Sequence, residues 1–162
     1  MRGQFVRAAY LAVPLSAAAA DQASKWLVRN WFEARGAEAA VVIPGFLNLV
    51  GSSNPGGAFG ILPGAPWFFF AVSLVLGSCA IAVMLFSRLD ARISIALGLV
   101  GGGAMGNLVD RVRFGEVYDF LDVHAGAQHW PAFNAADVFL VAGIGIMIVS
   151  FALPKQTRAK TP

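Results

Sequence analysis

WFFFAVSLVLGSCAIAVMLF, residues 67–86, contains no charged side chain. A helix of about 20 apolar residues crosses the hydrocarbon core of a bilayer, which is about 30 Å thick. Three further apolar stretches of comparable length lie at about residues 6–27, 93–109 and 135–153. The sequence therefore predicts a mostly α membrane protein with four transmembrane helices, and residues 1–162 are expected to form a single integral membrane domain.

The composition supports a membrane protein over a soluble or nucleic-acid-binding one. Hydrophobic residues make up 57% of the chain and charged residues only 13%, whereas a soluble domain carries roughly 25% charged residues. The basic residues lie in clusters between the apolar stretches and form no stripe interleaved with aromatic residues, so nucleic acid is not an expected partner. The single cysteine, Cys79, is expected to be a small buried apolar residue.

The first apolar stretch has an alternative interpretation as a cleaved secretory signal peptide. Arg2 and Arg7 precede an alanine-rich segment that ends at Ala20, which is the order of charged and apolar regions in such peptides. The apolar pattern resumes after Asp21 with residues 26–28, and three further apolar stretches follow. We therefore favour a retained helix.

The distribution of basic residues predicts the orientation in the membrane. Seven of the twelve lysines and arginines fall on one side if both termini are cytoplasmic, and basic residues mark the cytoplasmic side. Eight of the nine acidic residues then lie at or beyond the opposite face. The seven basic residues are Arg2, Arg7, Arg88, Arg92, Lys155, Arg158 and Lys160. The predicted topology is N-in and C-in, and in a bacterial inner membrane the acidic residues would face the periplasm.

The two outer connections differ in character. The first contains β-favouring runs at residues 41–43 and 46–50, separated by turn residues such as Pro44 and Gly45. It predicts a small extracytoplasmic β-sheet cradle at about residues 37–62, between the first and second helices. The second connection, residues 111–133, carries most of the polar chemistry.

Five aspartates on the outer side are candidates for chemistry, because ionisable groups in a membrane protein are costly. Any one of them could simply anchor a helix end. Two aspartates at one membrane level can perform general acid–base catalysis without a metal, one ionised and the other protonated. The five are Asp21, Asp110, Asp119, Asp122 and Asp137. Spacing and expected burial do not choose between a pair of Asp119 with Asp137 and a pair that includes Asp110 or Asp122.

The third apolar stretch predicts two functional faces. Glycines repeat every four residues on one face, which allows a neighbouring helix to approach closely. Asn107, Asp110 and Arg111 are expected on a common side of the helix end, where the acid and the base could also form a structural clamp. The repeated glycines are Gly98, Gly102 and Gly106.

The surroundings of two aspartates predict different environments. Apolar and aromatic residues flank Asp119, and partial burial would raise its pKa. Asn134 is a candidate N-cap of the fourth helix, and Asp137 then occupies the N3 position. Taken alone, Asp137 could be a helix-dipole acid.

Other chemistries are less well supported by the sequence. His124 and His129 lack the His-Glu-x-x-His spacing of a zinc protease. Ser24 and Lys25 are adjacent, so on a helix they do not face each other, and Lys25 is expected to extend to the membrane surface. A small proton-coupled transporter or channel is the alternative from another class, and a scaffold with helix-clamping acids is a third.

Five motifs together resemble the lipoprotein signal peptidases (signal peptidase II), a family of bacterial intramembrane aspartic peptidases. They appear in the family's order on a four-span chain of the family's length. The motifs are DQASK at residues 21–25, NPGGAFG at 54–60, GGAMGNLVDR at 102–111, VYDF at 117–120 and FNAAD at 133–137. Pro55 and the Gly56-Gly57 pair depart from the family pattern and leave the role of Gly56 uncertain.

The resemblance implies a function and a set of site residues. It implies a membrane endopeptidase that cleaves diacylglyceryl-modified prolipoproteins before the lipidated cysteine, with Asp119 and Asp137 as the catalytic pair and no cofactor or metal. Asp21 and Asp110 are then structural acids. Substrate binding or positioning of the pair falls to Asn54, Gly56, Asn107, Arg111 and Asn134. The expected partners are the lipid-modified substrates and membrane lipids, and the chain is expected to act as a monomer.

Overall fold

The computed structural model describes residues 10–56, 65–87 and 89–152. Within them the chain forms four α-helices and four short β-strands. The helices are α1 (Ala12–Glu33), α2 (Pro66–Phe86), α3 (Ala91–Phe114) and α4 (Ala135–Ala152). The strands are β1 (Ala39–Ile43), β2 (Leu47–Asn54), β3 (Val117–Ala125) and β4 (Gln128–His129).

Three helices in the described part of the chain, α2, α3 and α4, are long and apolar enough to cross a membrane. Two helices also extend beyond their predicted ends, since α1 continues to Glu33 and α3 to Phe114. Parts of several predictions lie outside the described residues. They are residues 6–9 of the first span, residues 57–62 of the cradle, residue 153 of the fourth span and most of the basic residues that orient the chain.

Local sequence explains where the long helix α3 begins and ends. The Asp90 side chain caps it by accepting a hydrogen bond of 3.0 Å from the backbone N–H of Ile93. Gly115 ends it in the left-handed conformation, with φ of 78°, which glycine adopts without a Cβ penalty. Since no earlier stop signal is present, α3 runs for 24 residues and carries its polar end toward the sheet.

Helix α3 lies at the centre of the bundle and contacts α1, α2 and α4. The predicted glycine face is confirmed, because it packs directly against α1. A Cβ atom at Gly102 would lie 2.6 Å from the carbonyl oxygen of Pro14, and one at Gly106 would lie 2.5 Å from Oδ2 of Asp21. Only glycine permits this separation, as at other helix interfaces in membranes.

The outward faces of α2 and α4 are apolar. Val75, Val141 and Ile148 are each 60% or more exposed, an arrangement that suits contact with lipid rather than water. Cys79 is exposed on α2, so the prediction that it is buried was wrong. The uniformly apolar sequence of α2 gives no periodic signal to show which side faces the protein.

The four strands form one antiparallel sheet in the order β1-β2-β3-β4. The predicted strands between the first and second helices are present as β1 and β2, but the cradle is not confined to that connection. Strands β3 and β4 come from the connection between α3 and α4, and β3 pairs with β2 from Leu47 opposite Val123 to Asn54 opposite Val117. This pairing places Asp119 in the sheet, near the start of β3, the strand that follows α3.

Candidate active site

A cavity of about 690 Å³ lies where β3, the C-terminal end of α3 and the start of α4 meet. Asp119 and Asp137 both line it. The other polar lining residues include four that the family resemblance singled out, Asn54, Gly56, Asn107 and Arg111. The apolar wall comes from residues 130–133 and from one side of α4 between Val138 and Ala142. The cavity therefore joins two carboxyl groups to an apolar surface that continues along a membrane helix.

Asp119 lies on β3 and is only 3% exposed. Its two carboxyl oxygens accept hydrogen bonds from side-chain amides, 2.9 Å from Asn54 and 2.6 Å from Asn134. Burial, together with the negative charge of Asp137, raises the pKa of Asp119 to about 6. The two hydrogen bonds act in the opposite direction and lower the pKa, but they do not outweigh the burial. A carboxyl group with such a pKa exchanges protons readily near neutral pH.

Asp137 lies in the first turn of α4. Its Oδ2 accepts the backbone N–H of Asn134 at 3.2 Å, and its own N–H donates to Oδ1 of Asn134 at 3.2 Å. This reciprocal arrangement is a capping box, as the predicted N-cap and N3 positions require. Its other oxygen, Oδ1, accepts a hydrogen bond of 2.8 Å from the Asn107 side chain.

Asn134 connects the two aspartates. Its side-chain amide donates to Asp119, and its backbone N–H donates to Asp137. The same amide also donates to Oδ1 of Asn107 at 3.1 Å. Asn134 is completely buried, so every polar atom of its side chain depends on these protein partners. The two carboxyl groups are thus held in one connected network.

Arg111 also lines the cavity. Its guanidinium donates to the carbonyl oxygen of Gly56 at 3.2 Å and to the Ser73 hydroxyl at 3.2 Å. It therefore joins the segment after β2 to α2 and places a positive charge beside the two aspartates. The guanidinium also lies 5.8 Å from the centre of the Phe69 ring.

Asp110 and Arg111 were expected on a common side of α3, but their side chains point in different directions. Its carboxylate points toward α1 and β3, where it pairs with Lys25 at 2.8 Å and accepts the backbone N–H of Tyr118 at 3.2 Å. The predicted interhelical clamp is confirmed for Asp110, which pairs with Lys25 of α1, but the expectation that Asp110 and Arg111 neutralise each other is wrong. A rotation of about 100° per residue along a helix separates their side chains.

Lys25 is 4% exposed, so the prediction that it extends to the membrane surface was wrong. Its ammonium lies 2.8 Å from Asp21 and 2.8 Å from Asp110. Ser24 faces elsewhere and donates to the backbone carbonyl of Asp21. The sequence signal for a buried Lys25 is its position four residues after Asp21, a spacing that places both on one helix face.

Asp122 lies outside the cavity lining, farther along β3. It contacts the His129 ring nitrogen at 2.8 Å and accepts from Asn48 at 3.0 Å. Burial acts to raise the pKa of Asp122, but the contacts with His129 and Asn48 outweigh it and hold the pKa below its ordinary value. Of the five outer aspartates, the structure brings Asp119 and Asp137 together at the cavity.

The apolar cavity wall at residues 130–133 was not predicted from the sequence. Trp130 donates its backbone N–H to Val123, and Phe133 exchanges backbone hydrogen bonds with Leu121. The segment therefore follows β3 and returns the chain to α4 beside Asp119. A tryptophan and a proline before the predicted N-cap were the available signal, but they indicate a turn and not a cavity wall.

The model of the Signal peptidase (SPase) II family matches residues 13–153. The chain belongs to the signal peptidase II family. The lipoprotein signal peptidase of Syntrophus aciditrophicus is 45% identical over 145 residues, covering 86% of this chain and 89% of that protein. That of Syntrophotalea carbinolica is 41% identical over 136 residues, covering 82% of this chain and 83% of that protein.

Two solved structures of bacterial membrane enzymes are similar to this chain over most of its length. A bacterial membrane enzyme solved by the in meso method at 2.3 Å resolution has a TM-score of 0.78 and 28% identity, covering 96% of this chain and 94% of that chain. Another, solved by the same method at 1.9 Å, has a TM-score of 0.75 and 30% identity, covering 93% of this chain and 95% of that chain. The resemblance predicted from five motifs is thereby confirmed, and the chain is a membrane protein of a peptidase family.

Proposed function

We propose that this chain is an aspartic endopeptidase that removes the signal peptide from diacylglyceryl-modified prolipoproteins, cleaving the bond before the lipidated cysteine. The observation that supports this proposal most directly is that Asp119 and Asp137 line one cavity and are joined through Asn134. Its relatives are lipoprotein signal peptidases. Family membership does not favour the alternative of a proton-coupled transporter or channel.

The two carboxyl groups would divide acid and base chemistry between them. The ionised aspartate takes a proton from a water molecule, and the resulting hydroxide attacks the scissile carbonyl carbon. The protonated aspartate donates to the carbonyl oxygen as the tetrahedral intermediate forms. As the intermediate collapses and the C–N bond breaks, one of its two hydroxyl groups returns a proton to the second aspartate, and the proton first taken from water passes from the first aspartate to the leaving amine of the lipidated cysteine. The pKa of about 6 at Asp119 suits such an exchange.

The cavity has surfaces suited to both parts of this substrate. Arg111 and the Asn54 and Gly56 segment offer polar groups to an extended peptide near the scissile bond. Val138, Leu140 and the neighbouring α4 residues offer an apolar surface to lipid-modified groups that remain in the bilayer.

The same proposal includes location and topology. The chain is proposed to be a monomeric, single-domain, multi-pass protein of the bacterial inner membrane with four spans, both termini cytoplasmic and the active site at the periplasmic face. The basic residues at the termini and between the second and third spans support this orientation. Helix α1 would be the first span, in which Lys25 pairs with Asp21 of the same helix and with Asp110 of α3.

Cleavage of a purified diacylglyceryl-modified prolipoprotein in detergent micelles tests the proposal. Asp119→Asn and Asp137→Asn should each abolish cleavage while the protein stays folded, because either change removes one of the two proton-transfer groups. Asp122→Asn is the matched control, since Asp122 is on the same strand as Asp119 but outside the cavity lining. Cleavage that survives both active-site changes would contradict the assigned pair.

A further inference from the structure

Lys25 stands at the centre of a buried cluster of polar side chains. Its ammonium donates to Asp21 at 2.8 Å and to Asn107 at 3.1 Å, and it lies 2.8 Å from Asp110. An ammonium has three donors and no acceptor, so these three oxygens satisfy it completely. Lys25 is not among the residues that line the cavity.

Each acid paired with Lys25 also holds a backbone amide. Asp21 accepts the N–H of Ala136 at 2.9 Å, and Asp110 accepts the N–H of Tyr118 at 3.2 Å. Ala136 directly precedes Asp137, and Tyr118 directly precedes Asp119. The backbone immediately before each cavity aspartate is therefore tied to a carboxyl group that contacts the Lys25 ammonium.

The third contact of Lys25 orients the Asn107 side chain. Oδ1 of Asn107 accepts from Lys25 and from Asn134, while its Nδ2 donates to Asp137 at 2.8 Å. Rotating the amide by 180° would turn its NH₂ group toward the Lys25 ammonium and its oxygen toward the Asp137 carboxylate. Both new contacts would be repulsive, donor against donor and acceptor against acceptor. Lys25 thus selects the orientation in which Asn107 donates to Asp137.

We infer that Lys25 is a positioning residue for the reaction, acting on Asp137 through Asn107 and Asp21 and on Asp119 through Asp110. This inference rests on the proposed function, because it presupposes that Asp119 and Asp137 are the reacting groups. The interactions are buried and charge-assisted, which makes them shorter and stronger than neutral hydrogen bonds. Misplacement of a reacting group by about 1 Å can lower a rate about 10²-fold.

The test is kinetic, on the purified full chain with a diacylglyceryl-modified prolipoprotein. Lys25→Gln keeps an amide donor but removes the positive charge. We expect kcat to fall about 10²-fold and KM to change little, because Lys25 does not line the cavity. Arg35→Gln is the matched control, since Arg35 lies exposed just beyond α1, stacked on the Trp31 ring.

A pH profile distinguishes positioning and charge from a general loss of structure. The Lys25 charge lowers the pKa of Asp119, so its removal should shift to higher pH the limb of the rate profile that reports Asp119. Loosening of the bundle would lower the rate without this directed shift. A folded Lys25→Gln protein with unchanged kcat and an unchanged profile would overturn the inference.

A second variant covers the possibility that Lys25→Gln alone does not fold. Lys25→Gln combined with Asp110→Asn removes one charge of each sign and keeps amide partners for Asp21, Asn107 and the Tyr118 N–H. This double variant should fold and show the same loss of kcat. If it fails to fold, Lys25 holds the whole bundle together, and a role confined to the two aspartates is wrong.

The outcomes separate this inference from the proposed function. Unimpaired cleavage by Asp119→Asn and Asp137→Asn would remove the proposed pair and the inference with it. Loss of cleavage in both, together with normal kinetics in the Lys25 variants, would overturn the inference alone.

Discussion

Replacement of Gly106 by alanine should test whether close approach of α1 and α3 maintains the site. Gly106 lies in the central helix, and a Cβ atom there would be 2.5 Å from Oδ2 of Asp21. That oxygen accepts the Lys25 ammonium at 2.8 Å. The added methyl group therefore meets a buried ion pair and not a flexible surface side chain.

The structure gives the scale of the effect. An ordinary contact begins at 3.4 Å, so the new methyl carbon and the carboxylate oxygen must separate by about 0.9 Å. If the helices move apart, overpacking of this kind costs about 1–3 kcal/mol. If Asp21 turns away, it loses charge-assisted hydrogen bonds worth about 1.5–3 kcal/mol each. We expect Gly106→Ala to lower the free energy of unfolding by about 2 kcal/mol and to lower kcat, since Asp21 also holds Ala136.

Gly145→Ala provides the matched control, because Gly145 is also helical and a Cβ there meets nothing within 4 Å. Alanine improves helix propensity by up to about 1 kcal/mol, so this variant should be as stable as the parent or slightly more stable. Denaturant titration in mixed micelles, followed by circular dichroism, measures stability, and cleavage of lipidated substrate measures activity. Equal stability and activity in both variants would refute the argument that Gly106 is required for helix approach.

Two further predictions concern the cavity residues. The pKa of Asp119 is about 6, against its ordinary 3.8, so its protonated form stabilises the fold below about pH 4 and this contribution is lost as the pH rises through 6. Over this window the free energy of unfolding of the parent should fall by up to about 3 kcal/mol relative to that of Asp119→Asn. Unfolding at several pH values measures the difference, and parallel curves for the two proteins would contradict the raised pKa. Arg111→Lys keeps the positive charge, but a lysine cannot reach both the Gly56 carbonyl and the Ser73 hydroxyl. We therefore expect KM to rise about tenfold, with a smaller change in kcat. The control Arg113→Lys, an exposed change on the same helix, should leave KM unaltered.

Two predictions that depended on short-range patterns agree with the structure. The glycine repeat on α3 predicted close approach of a neighbouring helix, and α1 packs there. The Asn134 and Asp137 spacing predicted the start of α4 and its capping interaction. These features depend on residues within one or two helical turns, so sequence spacing alone specifies them.

Predictions that depended on distant partners were less successful. The β3 strand was not predicted, because its pairing with β2 joins residues more than 60 positions apart. Lys25 was wrongly expected at the surface. Its second acid, Asp110, and its amide acceptor, Asn107, are both on α3, so they are distant from Lys25 in the sequence. A side chain's burial depends on what packs against it, and one helix does not reveal its neighbours.

The five aspartates show which properties the sequence specifies and which depend on tertiary packing. By itself, the sequence determined the approximate positions of the apolar helices and the glycine face, and its five ordered motifs determined the family, because periodicity and motifs are properties of the chain. Only the tertiary structure brought Asp119 from the sheet and Asp137 from α4 to one cavity, left Asp122 outside its lining, and placed Lys25 in a buried cluster of polar side chains. The physical reason is that each carboxyl environment is made by partners from other elements, and these meet only when the helices and the sheet pack together.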